Sequence, residues 1–229
     1  MNTEQKTERR AEPVAAQGDL SPAERSWRLI GAVGMIVGML SLVVTTIVQW
    51  TLQPTSPSDT IVDMVNAHQG MWMVTSVLSV LGPLLWVAGI GAVTSLVRDR
   101  GWVLATVGGS ITALGLITGV GHLALFFGVS SDLAASGIST KAVQAVQGAD
   151  DGGLLGTLLL ILFLAGFSLG PILLTIGLRR ARLVAVWVPV AAIVMVVANF
   201  VGGIPAGAVQ LVAMLLAFVP LTILLLRRR

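Results

Sequence analysis

RDRGWVLATVGGSITALGLITGVGHLALFF, residues 98–127, decides the fold. It opens on a charged turn and then runs from Trp102 to Phe127 without one Asp, Glu, Lys or Arg. A helix rises about 1.5 Å per residue and the hydrocarbon core of a bilayer is about 30 Å thick, so a run of this length is enough to cross it. Working outward, comparable apolar windows lie near 27–50, 71–97, 153–178, 183–201 and 207–226, which with 102–127 makes six. They are long and continuous, unlike the alternating segments of about ten residues that build a membrane barrel. Composition agrees: 55% of residues are hydrophobic and only 11% charged, against about a quarter charged in soluble domains. The expected fold is all-α, a polytopic membrane protein of six transmembrane helices arranged as three hairpins.

Cations set the expected orientation, because Lys and Arg flanking spans are retained on the cytoplasmic side. Lys6, Arg9, Arg10, Arg25 and Arg28 lie before or at the start of the first window, Arg98 and Arg100 follow the second, and Arg179, Arg180 and Arg182 follow the fourth; Arg227, Arg228 and Arg229 follow the last. With six alternating spans all of these fall on one side. The other side holds Lys141 beside Asp59, Asp63, Asp132, Asp150 and Asp151. Both termini are therefore expected in the cytoplasm, with the chain in the plasma membrane. The net charge of +3 carries no nucleic-acid reading, since the basic residues border spans and form no separate basic surface. The lipid bilayer is the expected partner, through anionic headgroups near the arginines.

Residues 1–20 are rich in Glu, Gln, Arg and Ala without apolar periodicity and are expected to be a disordered cytoplasmic tail. Residues 21–229 form the transmembrane domain. Order is expected to begin at SPAERSW, where Ser21 suits an N-cap, Pro22 the first helical position and Glu24 the third position of a capping box. Trp27 and Trp50 then bracket the first span, as interfacial indoles do.

Chemistry-bearing motifs are few. The chain has no cysteine, which excludes disulfides, thiolate catalysis and iron–sulfur ligation. No phosphate-binding loop, nucleophile elbow or HExxH motif occurs, so no catalytic residue is assigned and the chain is not read as an enzyme. His68 and His122 are the two histidines and the candidate metal or haem ligands, with Asp63 or Asp132 as further metal donors. An interfacial histidine is ordinarily satisfied by a hydroxyl or a carbonyl, so no cofactor is assigned.

Small residues offer a packing pattern instead. Gly108, Thr112, Gly115, Gly119 and His122 recur at steps of four and three and share one helix face, while Leu116 reads as facing lipid. Gly115 with Gly119, and Gly34 with Gly38, have GxxxG spacing, which lets helix backbones approach closely. The second span carries a matching stripe: His68, Trp72, Thr75, Ser79, Gly82, Trp86 and Gly89. Its short connection to the third span makes the two antiparallel neighbours, with both histidines at their outer ends.

Three prolines, Pro83, Pro171 and Pro220, are expected to kink their helices. LGPLLWVAG at 81–89 and LGPILLTIG at 169–177 are alike; they fit chance, an internal duplication, or broken helices of a transporter. Gln49, His122, Asn199 and Gln210 all fall toward the outer ends of spans, where an outward-facing pocket is conceivable. In the outer loops, Ile61, Met64, Val65 and His68 have the spacing of a short interfacial helix, and Val143 with Val146 suggests a second.

AHQGMW at 67–72 and LVRDRGWVLATVGGSITALG at 96–115 resemble uncharacterised six-span integral membrane proteins of high-GC Gram-positive bacteria. The resemblance covers mainly residues 67–122 and implies six spans and no assigned chemistry. The expected role is a non-catalytic structural or interaction component of a membrane assembly, with a membrane-protein partner or homo-oligomer. The alternatives are a small-molecule transporter using the Gly-Pro helices, and a haem or metal protein using His68 and His122.

Overall fold

The computed structural model describes residues 21–52, 60–137, 142, 145 and 153–227. The bounded elements are all helices: α1 Pro22–Thr51, α2 Ile61–Ala67, α3 Gln69–Thr94, α4 Trp102–Ala135, α5 Leu154–Arg180, α6 Trp187–Val201 and α7 Gly203–Leu226. Five of them, α1, α3, α4, α5 and α7, are long and apolar enough to cross a membrane. The α6 helix has only 15 residues, because Leu183–Val186 do not join it and Arg182 adopts the left-handed conformation, φ 59°. Residues 1–20, and Val143 with Val146, lie outside the described residues.

Local chemistry accounts for the ends. Ser21 Oγ accepts the Glu24 N–H at 3.2 Å and the Ser21 N–H donates to Glu24 Oε2 at 3.1 Å, the reciprocal box that satisfies two otherwise orphaned donors. Thr60 and Asp63 build the same box at the start of α2, with the Thr60 N–H donating to Asp63 Oδ2 at 2.8 Å. Gly101 turns the chain into α4 with φ 91°, and a side chain there would also collide with the Gly177 carbonyl of α5. The α4 helix continues to Ala135, well past the expected end near 127, since GVSSDLAA contains no breaker after Gly128 and Ser130 and Ser131 turn their hydroxyls back onto the Phe126 and Phe127 carbonyls.

The helices pack as a closed ring in chain order. α1 lies on α3, α3 on α4, α4 on α5, α5 on α6, α6 on α7 and α7 back on α1. The most extensive contacts are α4 with α5, α1 with α3 and α6 with α7. Large apolar side chains such as Leu29, Leu40, Met73, Val103, Leu114 and Ile117 face outward. That perimeter suits hydrocarbon and would be an aggregation surface in water.

Inside the ring, Met35, Trp86, Ile90, Leu174, Leu178, Met195, Met214 and Phe218 form the main core. A second cluster of Leu52, Ile61, Val65, Trp72 and Phe127 gathers α2 against α3 and α4. There Trp72 Nε1 donates to Ser131 Oγ at 3.1 Å and the Trp72 ring meets Phe127 edge-on, centroids 5.0 Å apart.

Charges separate along the bundle. The α1 start, the α3–α4 turn and the α5 end share one end, joined by the Arg98–Glu24 pair at 3.5 Å and the contact of Gly101 with Gly177. Leu225 of α7 reaches Gly31 of α1, so Arg227 belongs to that end too.

Candidate functional site

The stripe Trp72, Thr75, Ser79, Gly82, Trp86 and Gly89 is the buried face of α3. It packs on α1: a Cβ added to Gly38 would lie 2.6 Å from Trp86 Cβ, and one on Gly89 would lie 2.8 Å from the Gly31 carbonyl oxygen. The face of α4 marked by Gly108, Gly115 and Gly119 packs on α5, where Gly166 and Gly170 answer it. A Cβ on Gly115 would come within 2.8 Å of the Gly166 backbone. The glycines therefore bring α1 to α3 and α4 to α5. Contact between α3 and α4 goes through other residues, among them Gly109 against Thr94 and Trp72 against Phe127. Leu116 is 2% exposed and part of the main core, not lipid-facing. The reason is that a seam contacting α5 on one side and the ring's interior on the other buries a wider arc of α4 than a stripe facing a single neighbour.

The histidines are not level with each other. His68 is the junction residue between α2 and α3, whereas His122 sits far inside α4, and both are half-buried. Trp72 is opposite Phe127 and Ser131, so on antiparallel helices His68 lies beyond that level and His122 short of it. At 1.5 Å per residue the offset along the axis is roughly 15 Å. Among the described residues neither imidazole makes a hydrogen bond, and no group of three His, Cys, Asp or Glu side chains has the arrangement of a metal site. Neither histidine lines the cavity at the centre of the bundle.

That cavity, ≈ 260 Å³, lies where α1, α3, α4, α5, α6 and α7 converge. α1 contributes Leu42, Thr45, Thr46 and Gln49; α3 contributes Leu78, Ser79, Pro83 and Trp86; α4 contributes Leu116, Gly119 and Leu123. The α5 wall is Phe163, Leu164, Phe167 and Ser168, and single residues, Asn199 of α6 and Gln210 of α7, close it. Three of the four polar residues that sequence placed at outer helix ends, Gln49, Asn199 and Gln210, thus meet in one chamber. Gln210 Nε2 donates to Asn199 Oδ1 at 3.0 Å, which ties α6 to α7 across the glycine break at Gly202, φ 73°.

Among the described residues, no Asp, Glu, Lys, Arg or His lines this chamber. Its polar groups are hydroxyls and carboxamides, which bind neutral molecules without the cost of desolvating an ion pair. Trp86 is 1% exposed and forms the inner wall, its ring edge-on to Phe167 and Phe218 at 6.0 and 4.8 Å. Its indole N–H has no hydrogen-bond partner among the described residues, and neither has the Thr75 hydroxyl farther along α3. A buried donor left unmet is rare and marks either packing frustration or a site that awaits a partner.

The three prolines occupy different surroundings. Pro83 lines the chamber, Pro171 is buried in α5 and Pro220 lines a separate apolar groove between α6 and α7. Each lies inside a continuous helix, so none of the three divides its helix into halves.

No protein-family model, curated protein or solved structure matches the chain.

Proposed function

We propose that the chain is a six-span integral membrane protein whose bundle holds an uncharged small solute in the chamber, and that passage of that solute across the membrane is its action. The observation that carries this reading is the convergence of six helices on one space lined, among the described residues, by Thr45, Thr46, Gln49, Ser79, Ser168, Asn199 and Gln210 and by no ionisable side chain. Thr45 donates to the Leu42 carbonyl and Gln210 to Asn199, whereas the side chains of Thr46, Gln49, Ser79 and Ser168 make no hydrogen bond among the described residues, a cost that a bound polar solute would offset. The absence of a carboxylate or histidine from the described lining favours passage without proton coupling. In this arrangement α6, extended by the apolar Leu183–Val186, is the sixth span, and α1–α3, α4–α5 and α6–α7 are the three hairpins. The arginine-bearing end faces the cytoplasm, and the chamber lies in the outer half.

A role as a component of a larger assembly rests on the glycine seams and on the lack of a catalytic motif. Those glycines lie against helices of the same chain, so they supply no surface for a second protein.

Single cysteines test the reading cleanly, because the chain has no native thiol. Asn66→Cys should react with an impermeant maleimide applied outside intact cells, and Arg100→Cys only after the cells are opened. Gln49→Cys should react from the Asn66 side. Reaction of Gln49→Cys from the cytoplasmic side alone would reverse the chamber's orientation. Silence from both sides would make the chamber a sealed void and end the solute reading.

A further inference from the structure

Proline has no N–H, so the carbonyl four residues before it loses its helical donor. For Pro83 that carbonyl belongs to Ser79, and for Pro171 to Phe167. Ser79 and Phe167 both line the chamber, and Ser168 stands beside Phe167 in the same wall. The two LGP segments, on different helices, thus each set a serine in the chamber wall and leave a lining residue, Ser79 or Phe167, with a carbonyl that lacks its helical N–H donor.

Hydroxyls inside apolar helices usually turn back onto the carbonyl one turn earlier. Thr112 and Thr175, on α4 and α5, do so at 2.8 and 2.7 Å. Ser79 and Ser168 make no hydrogen bond among the described residues. Their hydroxyls remain free to donate or accept. The residues of the chamber wall therefore carry acceptors, the two carbonyls, and groups of either sense, the two hydroxyls, and none of the described lining residues is charged.

From this we infer that the chamber is selective for a small uncharged molecule carrying a group that donates and accepts hydrogen bonds together, a hydroxyl or a primary carboxamide, on an apolar body. The inference rests on the chamber being a solute site. An ether or ketone would satisfy the serines and leave both carbonyls unmet, and a hydrocarbon would leave all four groups unmet. The apolar body belongs against Phe163, Phe167 and Leu116. An enclosed cavity of about 150 Å³ takes a benzene ring, so one substituted ring fits in the ≈ 260 Å³ present here.

Two isomers separate the possibilities: benzyl alcohol donates and accepts, while anisole only accepts. The whole protein, labelled with 5-fluorotryptophan and reconstituted in neutral bilayers, reports occupancy through the fluorine resonance of Trp86, assigned by its loss in Trp86→Phe. At equal mole fraction in the bilayer, benzyl alcohol should half-saturate the Trp86 shift at about a tenfold lower level than anisole, one net buried hydrogen bond being worth about that factor. Pro83→Ala and Pro171→Ala restore an N–H to the helix and should each narrow that ratio while anisole binding persists. Ser79→Ala and Ser168→Ala remove the donor that both isomers use, so each should weaken benzyl alcohol and anisole together and leave the ratio near its parent value.

Equal affinity for the isomers, or an unchanged ratio in both proline variants, overturns the selectivity and leaves the chamber standing as an apolar site. Preference for benzylammonium or benzoate overturns the uncharged class. If no compound moves the Trp86 resonance, the solute reading falls together with this one.

Discussion

The same two helices, α4 and α5, meet in two ways. Near Gly115 and Gly166 their backbones touch, and an added Cβ has nowhere to go. One turn farther along α4, Gly119 faces the Phe163 ring, and Phe163, Phe167 and Leu123 border open space. Paired glycines bring two helices together, whereas a glycine opposite an aromatic ring leaves a gap that neighbours must fill or leave open. In this bundle the neighbouring helices bring polar groups to that gap, so a tight seam and a chamber are built side by side.

Three adjacent substitutions on α4 should break that contrast if it is wrong. Gly115→Leu, pressed against the Gly166 backbone, should have the largest effect, on the order of 3 kcal/mol of stability in mild detergent. Leu116→Ala, buried but bordering the chamber, should cost about 2 kcal/mol, at the low end for a core truncation because space is already open beside it. Ile117→Ala, on the exposed outer face, should change stability by about 0.5 kcal/mol or less. Thermal unfolding of the three variants gives the ranking. Leu116→Ala proving as mild as Ile117→Ala would return Leu116 to the lipid face.

Trp72 and Ser131 sharpen the comparison at the far end, where α4 runs on past the chamber. Ser131→Ala removes the acceptor of the Trp72 N–H and should cost about 1 kcal/mol. Hydrogen exchange should quicken for amides 128–135 and stay unchanged for 105–116. Uniform quickening along the whole helix would mean that the extension and the seam unfold as one unit.

The smallest effect belongs to the opposite end. The Ser21 backbone N–H, followed by the Ser21 hydroxyl and then by Arg98 and Arg28, holds the Glu24 carboxyl below the usual carboxylate range. A carboxyl lowered in the folded state adds stability above its unfolded pKa and loses it as pH falls through the folded one, so this contribution fades below about pH 4. Glu24→Gln should lower Tm slightly at pH 7, and the gap to the parent should close on acidification. A gap that widens in acid would contradict the assignment.

Several features were legible because they depend on neighbours in the chain. Ser21, Pro22 and Glu24 announce the α1 cap through contacts three residues apart. The buried face of α3 follows from helical spacing alone, since Trp72, Thr75, Ser79, Gly82 and Trp86 share one side at any helix–helix geometry. His122 was harder to read, because its height relative to His68 depends on the axial register of α3 against α4, which the contacts of Trp72 with Phe127 and Ser131 set.

Sequence by itself determined the helical class, the apolar perimeter and the segregation of arginines, since each is a property of one segment's periodicity and charge. Tertiary structure alone decided which helix each glycine face meets, and so placed Leu116 inside. It also decided that Gln49, Asn199 and Gln210, far apart in the chain, converge with Ser79 and Ser168 on one chamber. The physical reason is that periodicity specifies a face, but not its partner; a ring of six helices sets each partner only when all the faces are packed together.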